Sequence, residues 1–220
     1  MRRRFLAATR FLPSVALLAA CAGAPPSPPT PASAPWPLPS GEGWRVVPRA
    51  EWGALPADTS MLVMHTPSRI TIHHTGSRQQ PDRPFVEKLR GLQQFSQNPG
   101  RLASGGTKPA WADIPYHFYI DAAGRIAEAR DARYAGDTNT TYDTRGHLLI
   151  VLEGSFGTEQ PSAAQLQSLE NLVLWLARRW NIGAHAIQAH RDFAATACPG
   201  DNRYARLPEL RALVAREVSP

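Results

Sequence analysis

The sequence predicts an α/β fold: a mixed central β-sheet flanked by α-helices. Three observations carry this. Residues 69–75 (RITIHHT) and 147–152 (HLLIVL) are short β-branched or aliphatic runs with the look of buried strands. Residues 116–121 and 125–129 flank Ala122-Ala123-Gly124, which suggests a hairpin with a short turn. Helical stretches fall between and after these strands, an order that a sheet covered by helices satisfies.

Taken in order, residues 83–97 carry Phe85, Leu89, Leu92 and Phe95 at helical spacing. Residues 100–109 are glycine-rich and polar, a surface loop. The strongest helix covers 162–180. Ser162 is its cap, Gln165 completes a capping box, and Leu166, Leu169, Leu172, Val173, Leu176 and Trp180 line one face. A short strand is expected within 182–189, and a terminal helix over 207–218.

The N-terminus reads differently. Arg2, Arg3, Arg4 and Arg10 precede or enter a short apolar run that ends in small residues at Ala20. The run is too short to span a bilayer, so residues 1–20 are expected to be a signal peptide. Residues 22–40 contain eight prolines and no charge. Such a stretch cannot build a core and favours extended polyproline II. At about 3.1 Å per residue, some 20 residues reach roughly 60 Å, a suitable tether. The expected organisation is a signal over 1–20, a tether over 21–42 and one domain over 43–220, without internal repeats.

The chain has 24 Lys and Arg against 18 Asp and Glu, and a calculated pI near 9.9. Four of the basic residues and none of the acidic ones fall in the signal, which leaves 20 against 18, a net +2. That balance is no nucleic-acid footprint, so nucleic acid is not an expected partner.

Two cysteines remain. Cys21 ends the signal, and Cys198 is the only thiol available to the folded domain. A lone thiol in an exported protein is prone to oxidation and mispairing unless something holds it. A metal shared with His73 and His190 is the best candidate, since zinc accepts imidazole and thiolate and catalytic sites use three protein ligands. Each residue also has a plainer reading: His73 as a satisfied core histidine, His190 as a loop cap, Cys198 as a small buried hydrophobe. No short metal-binding signature joins the three.

Two resemblances sharpen this. Leu18-Ala19-Ala20-Cys21 resembles the lipobox of bacterial lipoproteins, which implies acylation at Cys21. Ala22 after the cysteine then favours a lipid anchor in the cell envelope, on the periplasmic face of the outer membrane. Five further segments resemble the zinc amidase family that includes phage T7 lysozyme and the peptidoglycan recognition proteins. They are Pro48-Arg-Ala-Glu-Trp-Gly-Ala54, Ile72-His73-His74-Thr75, Trp111-Ala-Asp-Ile-Pro-Tyr-His-Phe118, Leu152-Glu-Gly-Ser-Phe156, and His190-Arg-Asp with Thr196-Ala-Cys-Pro-Gly200. Together they cover about residues 47–205.

The resemblance implies Zn2+ as cofactor, with His73, His190 and Cys198 as its ligands. It matches Tyr116 to a tyrosine near the reacting water, and Thr196 to a position held by Lys or Thr in catalytic relatives. His74 follows His73 on a strand, so alternation turns it to the other face; a swapped assignment stays open. Related amidases with an Asp third ligand carry a glutamate where this chain has Val151, so a tyrosine-assisted site is expected. Glu153 is a possible base or a strand-end residue, and Asp192 either orients a ligand or makes a surface salt bridge. The 100–109 loop resembles an insertion.

The expected function is N-acetylmuramoyl-L-alanine amidase, cleaving the bond between N-acetylmuramic acid and L-alanine in peptidoglycan or muropeptides. The alternatives are a non-catalytic peptidoglycan-binding module and a zinc peptidase acting on the stem peptide. The expected partners are that substrate and the membrane through Cys21, and the expected assembly is a monomer.

Overall fold

The structure, a computed structural model, describes residues 37–102 and 105–218. The expected signal, Cys21 and most of the expected tether therefore lie outside the described residues. The elements are β1 (Ser40–Gly41), β2 (Trp44–Val47), α1 (Arg49–Trp52), β3 (Arg69–His74), α2 (Phe85–Gln97), β4 (Gly100–Arg101) and β5 (Thr107–Lys108). Then follow β6 (Phe118–Ile120), β7 (Ile126–Glu128), β8 (His147–Leu152), α3 (Ala163–Trp180), β9 (Ile187–Ala189), α4 (Asp201–Tyr204) and α5 (Leu207–Glu217).

Seven strands form one mixed sheet in the order β1-β2-β7-β6-β8-β3-β9. β8 lies between β6 and β3, parallel to both, and all six of its residues are buried. Its sequence is apolar without alternation because both faces are covered. β6 and β7 are antiparallel around Ala122-Ala123-Gly124, as the hairpin reading expects. Gly124 has φ +82, a region glycine enters without a Cβ clash.

Register places His73 opposite Val151, and Val151 opposite Tyr119. Paired residues share a sheet face, and this face is the one α2 covers. Phe85 and Leu89 of α2 join Trp52, Ile114, Tyr119 and Val151 in one buried cluster. Each such side chain contributes roughly 1.5–3 kcal/mol on full burial. Leu169, Leu172, Val173 and Leu176 form the buried stripe of α3, as their spacing predicts. The Ser162–Gln165 capping box is present in both directions, satisfying two N-terminal donors.

Several boundaries differ from expectation. The first strand begins at Ser40, inside the segment read as tether, because Ser40 and Gly41 pair with Arg45 and Trp44. α2 starts at Phe85, with Pro84 as its N-cap in extended conformation. Residues 100–109 are not a plain loop: β4 and β5 pair as a small antiparallel ribbon. Its anchor is Lys108, only 2 % exposed, whose ammonium donates to the carbonyls of Ser96 (3.0 Å), Asn98 (2.5 Å) and Pro109 (2.9 Å). The same ammonium sits over the rings of Phe95 and Trp111. A cation beside the last carbonyls of α2 is electrostatically well placed.

Candidate metal centre

Three chain segments meet at the end of β3. The strand itself delivers His73. β9 runs parallel beside it and ends in a 3-10 turn, His190–Asp192, which delivers His190. The loop after that turn doubles back, with Arg191 N–H donating to the Cys198 carbonyl at 3.0 Å, and delivers Cys198. One donor atom from each of His73, His190 and Cys198 lies within 4.8 Å of the others.

Their spacing fits a metal. Zn–N bonds of about 2.1 Å and Zn–S bonds of about 2.3 Å at a tetrahedral angle separate nitrogen and sulfur by roughly 3.6 Å. His73 Nδ1 and Cys198 Sγ are 3.6 Å apart. The His73 and His190 rings are 4.6 Å apart between centroids. The donor set, two imidazoles and a thiol, suits zinc and leaves one tetrahedral position for water or substrate.

Burial keeps all three groups neutral in the absence of a cation. It pushes the Cys198 thiol up to about 12, and it lowers His190 to about 4. His73 falls well below the ordinary histidine value through burial and its histidine neighbours. Neutral imidazoles are ready ligands, whereas the thiol must give up a proton as a metal arrives.

The ligand loop is held by its own polar groups. Thr196 Oγ1 accepts the Cys198 N–H at 3.2 Å, so this hydroxyl caps the turn that carries the thiol. Asp192 does not touch the His190 ring. Its carboxylate accepts the Ala189 N–H (2.9 Å) and the Tyr204 hydroxyl (2.7 Å), and it lies 3.6 Å from Arg211. Gly200 has φ +85, and a Cβ there would meet the Phe156 carbonyl carbon at 2.3 Å. Only glycine lets the loop close onto that backbone.

His74 points away, as alternation predicts: its Nδ1 accepts the Phe156 N–H at 3.2 Å. Glu153 is a buried anchor. Its carboxylate receives Lys88 Nζ at 2.8 Å and the N–H groups of Gln80 (2.8 Å) and Ala122 (2.9 Å). With three donors on it, Glu153 is tied into the fold, in keeping with the strand-end reading.

Tyr116 lies just before β6, with its ring 5.1 Å from that of His73. Burial and the neighbouring thiol push its phenol far above the ordinary tyrosine value, so the hydroxyl keeps its proton. Tyr116 also lines a groove of about 590 Å3, together with Thr75, Arg83, Arg101, Trp111 and Asn139.

Sequence reasoning missed two groups here. Thr140 Oγ1 is 2.7 Å from His190 Nε2, and the Tyr142 ring lies 5.3 Å from that of His190. Both come from an irregular, threonine-rich loop whose sequence carries no periodic signal.

The sequence pattern of N-acetylmuramoyl-L-alanine amidases matches residues 64–201. The chain is 27% identical over 162 residues to mouse peptidoglycan recognition protein 1, covering 72% of this chain and 84% of that one. Its fold is similar to that of Drosophila peptidoglycan recognition protein SD, with TM-score 0.63 and 26% identity, over 76% of this chain and 94% of the other. It is also similar to N-acetylmuramoyl-L-alanine amidase LysC from Clostridium intestinale, with TM-score 0.55 and 26% identity, over 76% and 95%.

Proposed function

Because this chain belongs to the N-acetylmuramoyl-L-alanine amidase family, we propose that it hydrolyses the amide between N-acetylmuramic acid and L-alanine in peptidoglycan or muropeptides, with zinc as cofactor. The observation that carries the reading is the convergence of His73, His190 and Cys198 donor atoms within 4.8 Å, beside a groove that Tyr116 lines. A binding module has no need of three metal donors next to a buried phenol.

His73, His190 and Cys198 would hold the ion. Bound there, zinc supplies Lewis acidity, lowering the pKa of a coordinated water toward about 7 and polarising the scissile carbonyl. Tyr116 keeps its proton and donates a hydrogen bond to the oxygen on which charge develops, a contribution of roughly 3 kcal/mol for similar donors. Thr196 is neutral and adds no full charge. With its oxygen engaged by the Cys198 N–H, its main task is to hold the thiol loop in shape. Arg83 and Arg101 along the groove suit the carboxylates of a stem peptide.

We read the N-terminal signal and Cys21 as a lipid anchor that keeps the enzyme in the cell envelope, near this substrate. Mass spectrometry of muropeptide digests tests the catalytic reading. The wild-type protein with zinc should release lactyl-linked glycan and free L-alanyl peptides, and neither chelated protein nor Cys198→Ala should do so. Binding of muropeptides with no cleavage under metal-replete conditions would favour the recognition module instead. Cuts inside the stem peptide would favour a peptidase.

A further inference from the structure

We propose that Thr140, backed by Thr138, is a positioning residue for His190: its hydroxyl holds the Nε2 edge of the ring so that Nδ1 faces the metal. This inference rests on the metal reading above and adds the residue that orients one of its ligands.

The geometry is a short chain of hydroxyls. Thr140 Oγ1 lies 2.7 Å from His190 Nε2, and Thr138 Oγ1 lies 2.8 Å from Thr140 Oγ1. The backbone N–H of Thr140 also donates to Thr138 Oγ1 at 3.0 Å, which fixes the loop that carries both threonines. A neutral imidazole has one donor and one acceptor nitrogen. A metal bound at Nδ1 would leave the ring proton on Nε2, where it would be donated to Thr140 Oγ1. The Thr140 hydroxyl then donates to Thr138 Oγ1, whose second lone pair accepts the Thr140 N–H. The protons run in one direction along the chain, from Nε2 to Thr140 and from Thr140 to Thr138, with no clash between them.

The same loop closes on the ring from a second direction. Tyr142 lies 5.3 Å from His190 and stacks on Phe193 at 5.6 Å. His190 is thus held at one edge by a hydroxyl and on its flank by an aromatic ring. His73 is held differently, because its Nε2 is buried and has no hydrogen-bond partner among the described residues. An outer partner for only one of the two imidazoles makes Thr140 the selective point at which to perturb the site. Asn139, between the two threonines, lines the groove, so the loop that orients the ligand also borders the substrate path.

Competition against a zinc chelator tests this on the wild-type protein and on Thr140→Val, Thr140→Ser and Thr138→Val. Thermal unfolding of each metal-free protein serves as the control for folding. Loss of an outer partner typically weakens metal binding about 10–100-fold, and Thr140→Val should fall in that range. Thr140→Ser keeps the hydroxyl and should stay within about threefold of wild type, and Thr138→Val should fall between them. Cobalt-substituted Thr140→Val should show a shifted visible spectrum. Wild-type affinity in Thr140→Val, or an equal loss in Thr140→Ser, would overturn the inference while the metal reading stands. No zinc binding by the wild type would overturn both.

Discussion

Cys198 Sγ accepts a hydrogen bond from the backbone N–H of His74 at 3.4 Å. The strand that supplies the first imidazole through one residue therefore steadies the thiol through the backbone of the next. A donor aimed at sulfur favours the thiolate, offsetting part of the burial that holds the thiol near 12. The sulfur is pre-set for a cation although its own loop lies 125 residues away from His73.

Cys198→Ala should therefore weaken zinc binding by about 100-fold or more while leaving the metal-free fold intact, since a small buried side chain replaces another. Metal analysis after gel filtration, alongside thermal unfolding of the metal-free protein, checks this. A full zinc complement in the variant would remove the thiol from the site.

Tyr116→Phe should retain zinc and lower kcat by about 100-fold with KM little changed, because the lost hydrogen bond acts on developing charge. Steady-state kinetics on a soluble muropeptide give the two parameters separately. A rise in KM alone would make Tyr116 a substrate-binding group.

Glu153→Gln should cost about 3–5 kcal/mol of stability, because it strands the buried Lys88 ammonium, whose remaining acid, Asp121, is 3.8 Å away. Urea denaturation of the metal-free protein measures it. A stable variant with greatly reduced kcat would restore Glu153 as a catalytic base.

Acid should destabilise the fold through His117. Its ring is fully buried and held at both edges: Nδ1 accepts the Leu149 N–H at 2.8 Å, and Nε2 donates to the Tyr134 carbonyl at 2.8 Å. Burial lowers it to about 3. The unfolded chain takes up the proton near pH 6.5 and the folded chain refuses it until about 3, so stability falls as pH drops through that window. The slope contributed by this ring approaches about 1.4 kcal/mol per pH unit. Urea midpoints between pH 7.5 and 4.5 should show a shallower dependence in His117→Gln.

The readable parts of this molecule were those that depend on local chemistry. The apolar runs of β3 and β8, the stripe of α3 and the Ser162–Gln165 box announce themselves because period and capping are properties of neighbouring residues. The lone Cys198 thiol suggested a metal shared with His73 and His190, but only the resemblance made the set specific, since nothing in the spacing from His73 to His190 marks them as partners. Thr140 was invisible for the same reason: it sits in a loop without periodicity and meets His190 across the fold. The two readings of Glu153 stayed open in the sequence because its partner, Lys88, lies 65 residues earlier on a different element. The β4–β5 ribbon looked like solvent-exposed chain because its stability comes from one buried lysine and the carbonyls around it.

Joining His73 to Cys198 has a consequence for the chain as a polymer. A cation held by both would close a loop of 125 residues, most of the folded domain, much as a covalent crosslink does. In a chain-entropy account such a closure removes roughly 4–5 kcal/mol of freedom from the unfolded state, if the cation stays bound to both ends there. A cation released on unfolding stabilises instead by mass action on the native state alone. The dependence of the unfolding midpoint on free zinc separates the two. A midpoint that climbs steadily with zinc marks a ligand of the folded form; a plateau at saturation marks a clasp that persists after the strands have come apart.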